Sequence, residues 1–341
     1  LLSRGHRVKL CTTGGELRDW FHQGGIDILP VRFNFFSFRR LLKFLEEYHP
    51  DLVHIQNLRS LPLGHRISER LHRPHLVTVH HVPGGLSSEL PHFLLTGVVA
   101  VNEDIRESLV NDHHIQKELI RVIPPGINLQ RFTPGEPREW KGRLPVVGTI
   151  GRLDPLKGFH HFIAAAHKVI ERGWEAMFVI VGEGEEERHL RREAQELRIE
   201  RFLTFAPPMP DLVDLYRGFD LVVVPTQRGG VGLTALEAMA MAKPVVASKV
   251  GEMLNLVVDG RTGLLVPEGD ADQLAGAVIR FLEHPELAAE MGRAARRRIE
   301  EMYSLPPMVG ATEALYREIL DEAEGQTDTT FRGSSRRAGA G

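Results

Sequence analysis

Two short stretches hold the residues whose types and spacing could do chemistry. The first, Gly151-Arg152-Leu153-Asp154-Pro155-Leu156-Lys157-Gly158, follows the apolar run Val146–Ile150. A guanidinium and an ammonium just past the carboxyl end of a buried strand are well placed to hold a diphosphate. The second is Pro225–Val246, entered from Leu221-Val222-Val223-Val224. That continuous apolar run, ended by a proline, reads as a parallel strand buried on both faces. Three of the four residues from Gly229 to Gly232 are glycine, so backbone can approach a ligand closely before Leu233–Ala240 opens as a helix. The free N–H groups of such a helix start favour an anion. Gly229, Gly230, Gly232, Leu233 and Thr234 therefore join Arg152 and Lys157 as candidate contacts. Glu237, one turn into the helix, carries a carboxylate suited to two vicinal hydroxyls.

Such loops need strands behind them, and strand-like and helix-like segments alternate along the whole chain, as in parallel sheets covered by helices on both faces. In the first half the expected strands are Val8–Thr12, Ile28–Val31, Leu52–Ile55, Leu76–Val79, Gly97–Val101 and Arg121–Ile123. Helices are clearest at Arg39–Tyr48 and Asn102–Asn111. A second series runs Val146–Ile150, Ala176–Val181, Leu203–Phe205, Leu221–Val224, Val245–Ala247 and Gly263–Val266, with helices at Gly158–Arg172, Glu186–Leu197 and Leu233–Ala242. Residues 134–144 read as a polar linker bearing Pro and Gly. From Ala271 the pattern is helical to about Glu324, broken near Ser304-Leu305-Pro306-Pro307. The expected domains are 1–135 and 143–303, a final helix at 304–324 and a disordered tail at 325–341 that has little to bury.

Composition removes several classes of function. A chain of 341 residues suits two domains of roughly 150 residues each. Lys and Arg number 42 against 45 Asp and Glu, so the net charge of -3 gives no case for nucleic acid as a partner. The single cysteine, Cys11, excludes an intramolecular disulfide and any multi-cysteine zinc site, which fits the cytoplasm. No apolar run reaches the roughly 18 residues of a membrane span. The 17 histidines show no HExxH spacing, and Asp270-Ala271-Asp272 directly precedes a helix, where aspartates act as caps, so no metal is expected. Gly182-Glu183-Gly184 fails as a dinucleotide fingerprint because Glu187 stands at the third glycine position. The stretch Arg32–Phe44 mixes aromatics with cations. It could rest on an anionic membrane or simply turn its aromatics into the core.

The 151–158 loop, the 225–246 block and the run Gly260-Arg261-Thr262-Gly263-Leu264-Leu265-Val266-Pro267 together resemble the retaining, GT-B-fold glycosyltransferases of family 4, also called group 1. The resemblance runs from Ser3 to Ser304. It implies two Rossmann-like, doubly wound α/β domains facing each other across a cleft, with the last helices crossing back onto the first. It implies a nucleotide diphosphate sugar as donor and a glycan, lipid or small molecule as acceptor, without a metal, in a monomer or weak dimer. Arg152 and Lys157 would contact the phosphates, the backbone of Gly232, Leu233 and Thr234 would assist, and Glu237 would take the ribose. Pro208 and Met209 match the base-binding loop, although Pro207 stands where the family usually has Gly. His80, at the end of Leu76–Val79, would lie near the transferred sugar, and Asn102 replaces the family's usual Ser. The family opens the turn with a Glu eight positions before the second one; that position is Gly229 here. The family also begins with a strand, a glycine-rich loop and most of a helix before this chain's Leu1, so a truncated first domain is expected. Peripheral attachment to the inner face of a membrane would go through residues 32–44. A catalytically impaired binding protein and a GT-B-fold sugar-nucleotide 2-epimerase are the alternatives.

Overall fold

The computed structural model describes residues 1–12, 21–22, 24–30, 35–80, 95–135, 143–209, 211–227 and 232–335, without the side chains of 35–37, 40 and 326–335. The chain forms two compact units, one of Leu1–Ile123 with Val309–Gly341 and one of Pro124–Met308.

The second unit is built on six parallel strands, β7 (Val146–Ile150), β8 (Met177–Val181), β9 (Leu203–Ala206), β10 (Leu221–Val224), β11 (Val245–Ser248) and β12 (Leu264–Val266), in the order β12-β11-β10-β7-β8-β9. The strands fall within a residue or two of the apolar runs that announce them, because a strand covered on both faces must be apolar throughout. Every residue of β10 and β11 is buried. Helices cover both faces. Phe162, Phe178, Leu190 and Phe281 fill one layer, and Tyr216, Phe219, Leu236, Met239 and Ile299 fill the other. Full burial of side chains of this size is worth roughly 1.5–3 kcal/mol each.

In the first unit β1 (Lys9–Thr12) pairs with β2 (Asp27–Pro30), and a separate parallel sheet runs β3 (Val53–Ile55), β4 (His75–Val79), β5 (Gly97–Ala100), β6 (Ile120–Val122). A short turn of helix at Leu2–Arg4 ends on Gly5 at φ 88°. Helix Phe35–Tyr48 packs inward. Phe38, Leu42 and Phe44 lie against buried Leu41, Leu45 and Ile67. Those aromatics are thus engaged within the unit, as in the core-packing reading of 32–44; residues 32–34 lie outside the described residues. Among the described residues no helix is long and apolar enough to cross a membrane.

The domain limits differ from expectation in two places. Residues 124–135 belong to the second unit, not the first. The cause is long-range pairing that local composition hides: Ile127 N–H donates to Tyr303 O at 2.8 Å, and Leu305 N–H to Ile127 O at 3.1 Å. Arg296 Nη1 holds Phe132 O at 2.6 Å. The last helix runs from Leu305 to Ser335, past the point where a disordered tail was expected. Once nucleated, extending a helix costs little per residue, and no proline follows Pro307. From Val309 this helix is part of the first unit. Tyr316 there meets His54 on β3 at 2.5 Å, and Ile319 lies over Gly97 at the start of β5.

Candidate functional site

A cavity of about 240 Å³ opens beyond the carboxyl ends of β7, β10 and β11. Strands β7 and β10 are neighbours at the point where the strand order reverses, with β8 and β9 on one side and β11 and β12 on the other. A doubly wound sheet splits its crossovers there and leaves a crevice for ligands. Arg152, Lys157, Gly232, Leu233 and Thr234 all line the cavity. Two loops far apart in sequence thus deliver the proposed cations and helix start to one place.

Backbone contacts weld those loops together. Gly158 has φ 67°, and a Cβ there would fall 2.0 Å from Pro225 O, so the 151–158 loop lies directly on the end of β10. Gln227 N–H donates to Leu156 O at 2.9 Å, and Leu153 N–H donates to Glu183 O at 2.8 Å. The Gly182–Gly184 turn therefore braces the Arg152 loop, in keeping with a strand-to-helix turn. Asp154 accepts from Leu156 N–H at 3.1 Å and pairs with the Arg152 guanidinium at 2.8 Å. That guanidinium is 77% exposed, so its pairing is solvent-screened and easily exchanged for an anionic ligand. The Gln227 amide lies 2.7 Å from His161 Nε2 and 3.2 Å from His160 Nε2. Burial lowers the pKa of both histidines, which leaves neutral rings able to accept from the amide.

Helix Leu233–Ala240 starts at Gly232, with φ 66° and no side-chain cap. A Cβ at 232 would come within 2.6 Å of the Leu256 and Met253 side chains, so glycine is required both by conformation and by space. Thr234 Oγ1 donates to Ile150 O at 3.1 Å and fastens the first turn to the end of β7. No side chain of the N-cap residue spends the N–H groups of this turn, which carry the positive end of the helix dipole.

Glu237 is on the same helix but does not line the cavity. Its Oε2 accepts from the Tyr216 hydroxyl at 2.8 Å. Burial raises its pKa, opposed by that hydrogen bond and by the charge of Arg131. Pro208 and Met209 follow β9 and are exposed, Met209 by 44%, and neither lines the cavity. Gly229 and Gly230 lie outside the described residues. His80 follows β4 in the first unit, where its charge joins burial in lowering the pKa of His54 to about 4. Asn102 is a helix cap, its Oδ1 accepting from Ile105 N–H at 2.8 Å. The Asp-x-Asp pair is structural as well: Asp270 caps the helix Ala271–Glu283, and Asp272 pairs with Lys168 at 3.0 Å and Arg172 at 2.9 Å.

Sequence reasoning missed Tyr216 and Glu252. Glu252 lines the cavity while only 5% exposed. Its place just past the carboxyl end of β11 was the available signal, the same signal that marks Arg152 after β7.

The sequence profile "Glycosyltransferase Family 4" matches residues 1–131, and "Glycosyl transferases group 1" matches residues 136–298. The chain belongs with the group 1 glycosyltransferases. A D-inositol 3-phosphate glycosyltransferase of Acidothermus cellulolyticus is 36% identical over 67% of this chain and 54% of its own length. One from Catenulispora acidiphila is 31% identical over 71% of this chain and 65% of its own. The chain spans little more than half the length of the first of these relatives. Among solved structures, Anabaena HepE in complex with UDP and glucose superposes with a TM-score of 0.82 at 21% identity, covering 92% of this chain and 93% of that one. A glycosyltransferase from Rickettsia africae gives 0.80 at 20% identity, covering 94% and 92%. These likenesses establish the α/β fold with parallel sheets of the GT-B glycosyltransferases.

Proposed function

We infer that the second unit binds a nucleotide diphosphate sugar and that the chain transfers the sugar, with retention of configuration, to an acceptor held by the first unit. The observation that carries this reading is the meeting of Arg152, Lys157 and the uncapped start of Leu233–Ala240 around one cavity at the switch point of the sheet. A departing diphosphate gathers negative charge as its bond to the sugar breaks, and fixed donors aimed at that charge lower the barrier. With the cations supplied by side chains, the reading needs no metal. The acceptor hydroxyl attacks on the face the diphosphate leaves, and the leaving phosphate takes its proton, so no enzyme nucleophile is needed either. Glu237 takes the ribose hydroxyls, Pro208 and Met209 border the base, and His80 serves on the acceptor side. The relatives named for D-inositol 3-phosphate make a phosphorylated polyol the first acceptor to try, in a cytoplasmic setting.

UDP-, GDP- and ADP-sugars should be screened for thermal stabilisation of the protein and then for nucleotide release. Losing a charged hydrogen bond costs roughly 1.5–3 kcal/mol, so Arg152→Ala should weaken binding about tenfold to a hundredfold. Binding that ignores this substitution would refute the site. Gly229 removes the carboxylate that the family places against the sugar. Gly229→Glu should therefore raise transfer more than it raises binding of the nucleotide alone.

A further inference from the structure

Tyr216 sits on the short helix Leu212–Gly218, between β9 and β10, with no exposed surface. Its ring is held edge-on by Phe132 and Phe219, with centroids at 6.4 and 6.3 Å. From inside this apolar layer the hydroxyl reaches two acceptors, Glu237 Oε2 at 2.8 Å and Thr234 O at 3.3 Å. Burial raises the phenol's pKa well above its ordinary value, so it remains a donor across the physiological range.

A buried phenol needs one acceptor, and the Thr234 carbonyl alone could serve. A carboxylate in that place is more than satisfaction requires: it brings a charge into a half-buried position and has about four lone-pair sites, of which Tyr216 takes one. Among the described residues Oε1 receives no hydrogen bond. Glu237 is thus clamped on one oxygen from the core and left with the other to spend, one turn beyond the helix start that lines the cavity.

We propose that Tyr216 is a positioning residue: by holding Glu237 Oε2, it fixes the carboxylate so that Oε1 takes the 2′- and 3′-hydroxyls of a nucleoside diphosphate's ribose. This assignment rests on the proposed function. It adds a second effect. Burial pushes the Glu237 carboxyl towards its neutral form, and only the Tyr216 hydrogen bond and the Arg131 charge push back. Removing the phenol should both loosen the carboxylate and move its titration upward.

Calorimetry with UDP, GDP and ADP, each beside its 2′,3′-dideoxy form, separates these effects. The unmodified protein should prefer the ribose form of its nucleotide by about tenfold or more, as expected for hydrogen bonds to a charged group. Tyr216→Phe keeps the ring contacts and should leave affinity for the dideoxy form unchanged, which also certifies the fold, while the ribose preference shrinks to about threefold or less at pH 6. The ribose preference of this variant should also rise with pH more steeply than that of the unmodified protein, because Glu237 titrates higher without the phenol, a change that a purely structural role for Tyr216 would not give. An undiminished ribose preference in Tyr216→Phe would overturn the assignment of Tyr216 while leaving the site standing. Failure of the unmodified protein to bind any nucleoside diphosphate would overturn the site and this assignment together.

Discussion

The two units solve the same local problem in opposite ways. After β5 the first unit enters the helix Glu103–Asn111 through Asn102, whose side chain accepts from the helix's own Ile105 N–H. After β10 the second unit enters Leu233–Ala240 through Gly232, which offers nothing. Nearby polar groups follow suit. In the first unit His54 is half-buried between Tyr316 and Thr78, at 2.5 and 2.6 Å, and desolvation keeps it neutral. In the second, Arg152 and Lys157 stand at the cavity. On the proposed function, the contrast is one of what a helix start withholds: one that caps itself has already spent its donors.

The most forceful way to break the contrast is to transplant the cap. Gly232→Asn retains a residue that tolerates the left-handed region but supplies its own acceptor and fills the space beside Met253 and Leu256. Nucleoside diphosphate affinity should fall about a hundredfold by calorimetry, the combined loss of several charge-assisted bonds. A change of threefold or less would mean that the helix start does not hold the anion.

A smaller effect sharpens the neutral side. The pKa of His54 is lowered to about 4 in the fold, first by burial and then by the His80 charge. The folded state therefore binds fewer protons than the unfolded chain. This contribution is fully present above about pH 6.5 and is lost as pH falls through 6.5 towards 4, with about 1–2 kcal/mol gone by pH 5. Denaturant unfolding at pH 7 and pH 5 should show that loss, and His54→Asn should flatten it; a slope unchanged in the variant would place the titration elsewhere. The mildest effect belongs to the cap itself. Asn102→Ala should lower stability by about 1 kcal/mol without touching nucleotide affinity. A change in nucleotide binding would contradict the division of labour between the units.

Most of this was legible in the sequence where apolar runs and glycines mark it. Val146–Ile150 and Leu221–Val224 read as strands and have the same limits in the structure, and the cation loop and glycine turn stand out because each directly follows one of them. Other features depend on partners distant in sequence. Residues 124–135 read as the tail of the first domain, yet Ile127 pairs with Tyr303 and Ser304 in the second. Tyr216 reads as one more apolar position in Leu-Val-Asp-Leu-Tyr, because nothing local shows that its hydroxyl will meet Glu237. Helices Leu61–Leu71 and Leu212–Gly218 went unassigned for a related reason: each is short and borrows its stability from packing more than from its own propensity.

One feature of the chain's path bears on how the molecule is made. The first unit is assembled from two stretches, 1–123 and 309–341, with the whole second unit encoded between them. On a ribosome the middle unit can close as a continuous segment, while the outer one waits for its last helix. Tyr316 reaches His54, and Glu313 reaches Arg4 and His6, only after some 250 or more intervening residues have emerged. At the roughly 5–20 residues per second of synthesis, the sheet β3–β6 spends many seconds without the helix that covers Gly97. Contacts of such sequence separation are also the slow ones in refolding. The cavity at the ends of β7 and β10 is therefore expected to form before the first unit is complete.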